Sequence, residues 1–153
     1  LVTEDARFWQ HEGVDLDEIQ AAFEATWTRG SALRGASTIT QQLAKNLYLS
    51  PSRNPFRKVV ELLITRRLEA ELSKPRILEL YLNVVEWGDG VFGAEAAAQR
   101  YFGVSAAQLS AEQAARLAAM TPSPRVFERR PDSAYLDGRV ATILARMPSA
   151  VVP

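Results

Sequence analysis

The stretch G-A-S-T-I-T-Q-Q-L-A-K-N, which runs from Gly35 to Asn46, decides the fold that this sequence predicts. Ser37 can cap the N-terminus of a helix over residues 38–47, because its hydroxyl can accept a hydrogen bond from a free backbone N–H of the first turn. The apolar side chains of that helix are few: Ile39, Leu43 and Ala44. A helix that only fills a core does not need hydrogen-bonding side chains on several faces. The stretch therefore predicts a helix that lines a polar cleft.

Further helices are predicted on both sides of this one. An upstream helix begins at the capping pair Asp15 and Glu18 and ends near Gly30. The downstream helices cover residues 57–73, 75–87, 93–102, 110–120 and 133–147, and loops cover residues 50–55 and 122–131. The helix over residues 57–73 is expected to bury one apolar stripe: Val60, Leu63, Ile64, Leu68 and Leu72. No alternating β-branched run reaches strand length, so the predicted class is all-α.

Composition limits the type of protein. The chain has 153 residues, 47% of them apolar and 24% charged, which is typical of one globular domain over residues 1–153. Cysteine is absent, which excludes disulfides and thiolate chemistry. No apolar run reaches 18 residues, so no membrane span is predicted. Because the chain begins at Leu1 without a signal peptide, we expect a domain cut from a longer protein and truncated at its N-terminus.

Charge is distributed unevenly although the net charge is zero. Residues 1–28 contain seven acidic side chains and one basic one, whereas residues 29–76 contain ten basic side chains and three acidic ones. The basic block predicts an anionic partner, such as a phosphate, a nucleic acid or an anionic lipid surface, and the alternative is a solvated helix face. Its centre holds four cations and one carboxylate: Lys45, Arg53, Arg57, Lys58 and Glu61. This cluster is either a diphosphate clamp or a set of surface ion pairs.

Two other motifs contain residue types that could take part in chemistry. In E-D-A-R-F-W-Q-H-E-G, at Glu4–Gly13, a helix would place Glu4, Phe8 and His11 on one face, where Glu4 could act as a general base. The alternative is an acidic first turn that complements a helix dipole. A single histidine makes a zinc site or a Ser-His-Asp triad improbable. The G-x-G-x-x-G pattern at residues 88–93 follows a helix rather than a strand, so it predicts a tight helix–helix turn and no dinucleotide site.

Four motifs, in order, resemble those of the peptidoglycan glycosyltransferases, most closely the monofunctional biosynthetic peptidoglycan transglycosylases. The first is E-D-x-x-F-x-x-H-x-G at Glu4–Gly13, and the second is the stretch at Gly35–Asn46, with Ala36 in place of a usual glycine. The third is R-K-x-x-E at residues 57–61, and the fourth is K-x-x-I-L-E-x-Y-L-N at residues 74–83. The likeness extends to about Pro131. It implies a lysozyme-like helical fold with a small, membrane-facing jaw portion, which we place around residues 26–34.

The resemblance also implies a reaction and a location. A growing glycan, linked to undecaprenyl diphosphate, would be transferred with inversion onto the GlcNAc 4-hydroxyl of lipid II at the outer face of the bacterial cytoplasmic membrane. Glu4 is expected to be the base, and Glu61 the second carboxylate that orients the donor or helps to hold Mg²⁺ or Mn²⁺. The expected substrate contacts are Ser37, Gln42, Lys45, Asn46, Arg53, Arg57 and Lys58. Expected partners are lipid II, the glycan strand, the membrane surface and other cell-wall synthesis proteins.

Three functional alternatives remain open at this point. A lytic glycosidase on the same fold needs a protonated carboxylic acid for its sugar leaving group, and a basic cluster favours the ionised form instead. A non-catalytic helical module would bind lipid II without turnover. Nucleic-acid binding is disfavoured because the aromatic RNA-recognition strands and cysteine-bearing fingers are missing from the sequence. Leu33, Leu47, Tyr48 and Leu49 lie beside basic residues, a mixture typical of segments that enter a membrane interface. The alternative is that these four side chains pack in the core.

Overall fold

The computed structural model describes residues 1–16, 20, 37–49, 56–150 and 152–153. The predicted helix from Asp15 to Gly30, the jaw at residues 26–34 and the loop at residues 50–55, with Arg53, lie largely or wholly outside this range. Within the described residues, no helix is long and apolar enough to cross a membrane. The chain forms two compact units, Thr3–Glu79 and Leu80–Pro153, and the single domain predicted for residues 1–153 stays a prediction.

The first unit contains a cleft-lining helix that begins one residue later than predicted. Its helices are α1 (Ile39–Tyr48), α2 (Phe56–Glu71) and the start of α3 (Lys74–Val84). The N-cap of α1 is Thr38 rather than Ser37: its Oγ1 accepts from the Gln41 N–H at 3.2 Å, and its own N–H donates to Gln41 Oε1 at 3.0 Å. A capping box needs Glu or Gln three residues after the cap, and Thr38 meets that condition whereas Ser37 does not.

Helix α2 has its polar side inward, so the predicted apolar stripe is wrong. Its buried residues are Glu61 and Thr65, while Val60 and Leu63 are 43% and 63% exposed. Helix α2 packs on α1, and its Glu69 carboxylate accepts from Thr40 Oγ1 of α1. A buried polar group needs a hydrogen-bond partner. The Thr65 hydroxyl donates to the Glu61 carbonyl, and the Glu61 carboxylate accepts from Lys58. The buried face of α2 is therefore a hydrogen-bonded polar face, which the apolar periodicity does not predict.

Residues 1–13 form consecutive turns rather than the predicted helix. Bonds between residues three apart recur here, such as Phe8 N–H to Asp5 O at 3.3 Å and Gln10 N–H to Arg7 O at 2.7 Å. Asp5, Phe8 and His11 are all buried, at a spacing of three residues. That spacing fits turns of three residues better than the 3.6-residue period on which the prediction rested. We call residues 4–13 the acidic segment.

The second unit is helical, with one short hairpin. Its strands are β1 (Glu86–Gly88) and β2 (Val91–Phe92), and its helices after α3 are α4 (Ala94–Phe102), α5 (Ala111–Met120), α6 (Pro124–Arg129) and α7 (Ala134–Arg146). The strands pair antiparallel, with Glu86 opposite Phe92. Helix α5 packs on α7, and Trp87 is buried with its Nε1–H donating to the Leu117 carbonyl at 2.9 Å.

Two stretches of this unit differ from their predicted structure, but the predicted all-α class is correct. Residues 88–93 form the end of a hairpin instead of a plain turn, with Gly90 at φ +73° and Gly93 at φ +89°. The predicted loop at residues 122–131 contains α6, because Pro124 at the first helical position starts a helix as readily as it marks a loop. Seven helices and five strand residues in the described part of the chain confirm the all-α class.

Candidate active site

Helix α1 has one buried face and one open face. Ile39, Leu43 and Ala44 are fully buried, which fixes the orientation of the helix. Gln42, Lys45 and Asn46 share the other side at i, i+3 and i+4 spacing. Gln42 is half-buried, and Lys45 and Asn46 are exposed in the last turns. The helix thus presents an amide, a cation and a second amide in a row.

The acidic segment brings Glu4 to the start of this row. Gln42 Nε2 donates to Glu4 Oε2 at 3.1 Å and to the Ser37 carbonyl at 3.2 Å. Glu4 is half-buried, so its carboxylate is oriented by the amide without being removed from solvent. A proton acceptor must be within hydrogen-bond reach of its substrate, and a partly open, oriented carboxylate meets that condition. The structure therefore joins Glu4, Gln42 and the backbone of Ser37.

Asp5 anchors the acidic segment to the N-terminus of α1. Its Oδ2 accepts from the Ile39 N–H at 3.0 Å, and its Oδ1 lies 2.9 Å from His11 Nε2, which donates to it. Asp5 is 1% exposed. A carboxylate at a helix N-terminus satisfies a free N–H and interacts favourably with the helix dipole. His11, expected beside Glu4, is instead the partner of Asp5.

Gly13 closes the acidic segment against both helices. Its carbonyl accepts from Thr38 Oγ1 at 2.6 Å. A Cβ atom at this position would lie 2.7 Å from Thr65 Cγ2 on α2, and the backbone has φ +82°. Only glycine combines that φ angle with so close an approach. Gly13 thus lets the acidic segment lie close to both helices.

Helix α2 pairs one cation of the predicted clamp with its carboxylate. Lys58 Nζ donates to Glu61 Oε1 at 2.5 Å, with Glu61 3% exposed and the Lys58 side chain 60% exposed. Arg57, half-buried, lies in the preceding turn. Arg53, the remaining cation predicted for this helix region, is outside the described residues. The part that each of these residues has in substrate binding stays a prediction.

Glu61 is the carboxylate at which the sequence predicts a divalent metal. In the described part of the chain, no group of three or more His, Asp or Glu side chains could hold a metal ion. Glu61 offers one carboxylate, and one of its oxygens already accepts from Lys58. Mg²⁺ accepts one or two protein carboxylates when substrate phosphates complete its shell. A metal ion at Glu61 therefore stays a prediction, with substrate phosphates as its other ligands.

A part-buried ion pair lies beside the site, and no sequence motif predicts it. Glu69 Oε1 accepts from Thr40 Oγ1 at 2.5 Å and from Lys74 Nζ at 2.8 Å. Lys74 Nζ also lies 4.5 Å from the centre of the Phe8 ring. Lys74 belongs to the fourth motif and was assigned no role, and nothing in the sequence distinguishes Glu69 from the other acidic residues of α2.

Comparisons with known proteins agree over the whole chain. A family model described as Transglycosylase matches residues 1–148. Proteins named "Biosynthetic peptidoglycan transglycosylase" are similar over all of this chain and 66% of their own length: 54% identical in Nitrosospira multiformis, and 56% identical in both Janthinobacterium sp. and Dechloromonas aromatica. The chain thus spans about two thirds of the length of these relatives.

Proposed function

The chain belongs to the transglycosylase family, and on that premise we propose that it polymerises lipid II into the glycan strands of peptidoglycan. The substrates would be lipid II and a growing glycan linked to undecaprenyl diphosphate. The single observation that carries this proposal is the Glu4 carboxylate, held at 3.1 Å by Gln42 at the head of a row of open polar side chains on α1.

The chemistry of the proposed transfer matches these groups. Glu4 accepts the proton of the GlcNAc 4-hydroxyl as the hydroxyl oxygen attacks C1 of the donor sugar. The C1–O bond to the diphosphate breaks, undecaprenyl diphosphate leaves with the electron pair, and the configuration inverts. A diphosphate is a weak base and needs no strong acid, so cations have only to stabilise its charge. Lys45, Arg57 and Lys58 supply that charge, with Arg53 as a further candidate.

In this proposal Glu61 orients a cation of the clamp, and a divalent metal binds only together with the substrate. The Lys58–Glu61 pair, with Nζ to Oε1 at 2.5 Å, supports a role for Glu61 in orienting Lys58 towards the diphosphate. Mg²⁺ or Mn²⁺ would bind here only together with the diphosphate, since Glu61 alone is a weak site. No step of the transfer above requires the metal.

We also propose that this chain works at the outer face of the bacterial cytoplasmic membrane, with α2 against the lipid. The outer face of α2 carries four apolar side chains at i, i+3, i+4 and i+7 spacing, here called the outer stripe: Phe56, Val59, Val60 and Leu63. Phe56 is 75% exposed. An exposed apolar stripe within a basic block is typical of a helix that lies in a membrane interface. A substrate with a lipid tail stays in the membrane, so an enzyme that acts on it must bind at the membrane surface.

Incubation with labelled lipid II, followed by gel analysis of the products, tests the activity. We expect polymer from the wild type, and a rate lower by about 10²–10⁴ in Glu4→Gln, which keeps the shape of the side chain but removes the base. Lys45→Ala should lower turnover while circular dichroism shows an intact fold. Polymer at the wild-type rate from Glu4→Gln would contradict the base assignment. Fragments released from finished peptidoglycan, offered in place of lipid II, would indicate a lytic glycosidase. Saturable binding of lipid II without any product would indicate a binding module.

A further inference from the structure

The Glu4–Gln42 hydrogen bond joins the acidic segment to α1, two parts of the chain that are far apart in sequence and held together only by non-covalent contacts. Glu4 lies on the acidic segment, which is made of turns, and Gln42 lies on α1. A shift of about 1 Å between a catalytic group and its support can cost a large part of the rate. Something must therefore fix the acidic segment against α1.

One link is the Asp5 carboxylate, which accepts from the Ile39 N–H at the first position of α1. It acts at the end of the helix. Thr40 follows Ile39 on α1, and Phe8 lies three residues after Asp5 on the acidic segment. Both side chains are fully buried, and both contact the same ion pair.

That ion pair is Glu69 with Lys74. The carboxylate of Glu69 accepts from Thr40 Oγ1 at 2.5 Å, which ties it to α1. The ammonium of Lys74 donates to the same carboxylate at 2.8 Å and lies 4.5 Å from the Phe8 ring centre, which ties it to the acidic segment. Only 8% of the Glu69 side chain and 19% of the Lys74 side chain are exposed.

The choice of residues favours positioning over simple stability. Removing two charges from water is costly, and an apolar pair of similar volume often stabilises a fold at least as well. This ion pair accepts a hydrogen bond from α1 and lies over an aromatic ring of the acidic segment. Both contacts depend on geometry, so they fix the direction in which each element lies. The ion pair lies between the two pieces that carry Glu4 and Gln42.

We propose that Lys74 and Glu69 are positioning residues for glycosyl transfer: their ion pair fixes the acidic segment against α1 and so sets the Glu4–Gln42 geometry. This inference rests on the proposed function, because it assigns Glu4 to the chemistry. Neither residue touches substrate in it.

A charge-neutral double variant separates positioning from folding. Lys74→Met with Glu69→Gln removes both charges together, keeps both side-chain lengths and leaves an amide oxygen for Thr40, so no unpaired charge is buried. The matched control is Arg67→Met with Glu71→Gln, an exposed pair within α2, the helix that carries Glu69, with Nη2 to Oε1 at 2.9 Å. Lys74→Arg is the conservative variant.

Two measurements are expected to separate these proteins. In lipid II polymerisation, kcat of the Lys74/Glu69 double variant should fall by about tenfold or more while KM changes by less than about twofold, since an interaction needed for the transition state is lost. Lys74→Arg should keep most of kcat, and urea unfolding should show all variants folded. By amide hydrogen exchange, residues 4–13 and Ile39 should exchange faster in the double variant, with α4 to α7 unchanged.

Each outcome bears on the inference. Wild-type kcat in the double variant overturns it, and so does an equal loss in the Arg67/Glu71 control. Exchange that is unchanged, or faster throughout the chain, also overturns it. If the wild type makes no polymer, the proposed function fails, yet the exchange experiment still decides whether the ion pair holds the acidic segment on α1.

Discussion

Gly13 shows how a single residue can determine whether the candidate site forms. Its carbonyl accepts from the cap of α1, and its Cα faces Thr65 of α2 at a distance that leaves no room for a methyl group. Its φ of +82° adds a conformational reason for glycine. A side chain at residue 13 would therefore crowd Thr65 and disturb the packing of the acidic segment on α2.

Gly13→Ala should destabilise the protein more than Gly90→Ala. Both glycines have positive φ, +82° and +73°, so each substitution costs roughly 1–2 kcal/mol for the backbone alone. A Cβ at Gly13 would also lie 2.7 Å from Thr65 Cγ2, whereas one at Gly90 meets nothing within 4 Å. Overpacking of this kind adds about 1–3 kcal/mol. Urea unfolding of both variants measures the difference, and equal losses would show that the crowding at Gly13 relaxes without cost.

At the same scale, some of the candidate site could be predicted and some could not. Glu4 and Gln42 were predicted from motifs, because their residue types and spacing are visible in the chain. The Asp5–His11 pair was not, since the helical period placed His11 with Glu4 and the segment forms turns instead. Glu69 was invisible for another reason: its partners, Thr40 and Lys74, are brought to it by packing, which no local pattern encodes.

At the scale of elements, the sequence predicted helices well where local signals were strong. Ser110 caps α5 with Gln113, and Gly103, at φ +66°, ends α4. Both helices lie close to the predicted ranges, 110–120 and 93–102. Helix α2 was predicted in place but with the wrong face inward. Its inner side meets polar groups of the acidic segment and α1, so the rule that apolar residues face inward fails there.

Glu95, at the start of α4, gives this helix a pH dependence. The Ala106 N–H donates to its carboxylate at 2.7 Å and Gln99 Nε2 at 3.2 Å, and these bonds lower the pKa of Glu95 below its ordinary value. A carboxylate with a lowered folded-state pKa stabilises the fold fully above its ordinary pKa of about 4.3. That stabilisation is lost as the pH falls through the lower folded-state value.

Glu95→Gln should therefore lower the thermal midpoint at pH 6, and the deficit should shrink as the pH falls towards about 3. Thermal unfolding of wild type and variant across this range is the measurement. Glu112→Gln, which removes a carboxylate from the first turn of α5, controls for lost attraction to a helix dipole. A deficit that stays constant with pH would mean that the bonds from Ala106 and Gln99 do not favour the ionised form.

At the scale of the whole molecule, charge and apolar surface are combined in one block. The ten basic residues within 29–76 include those predicted to meet a diphosphate, and the outer stripe of α2 lies within the same block. Of the predicted interfacial residues, Leu47 and Tyr48 are exposed, and Leu33 lies outside the described range. The diphosphate and the lipid tail of the proposed substrate match these two kinds of surface, the basic and the apolar.

Vesicle binding tests whether the outer stripe meets lipid. The wild type should sediment with anionic vesicles, and less so at high salt, because basic side chains contribute and salt screens them. Phe56→Ser with Leu63→Ser should bind at least about tenfold more weakly, since burying one such side chain contributes about 1.5–3 kcal/mol. The control is Phe92→Ser with Val126→Ser, which removes two exposed apolar side chains from the second unit. These are 55% and 53% exposed, against 75% for Phe56 and 63% for Leu63. Because all four positions are exposed, circular dichroism should show every variant folded. Equal binding by both double variants would leave the outer stripe without a role at the membrane and would place the lipid contact elsewhere in the protein.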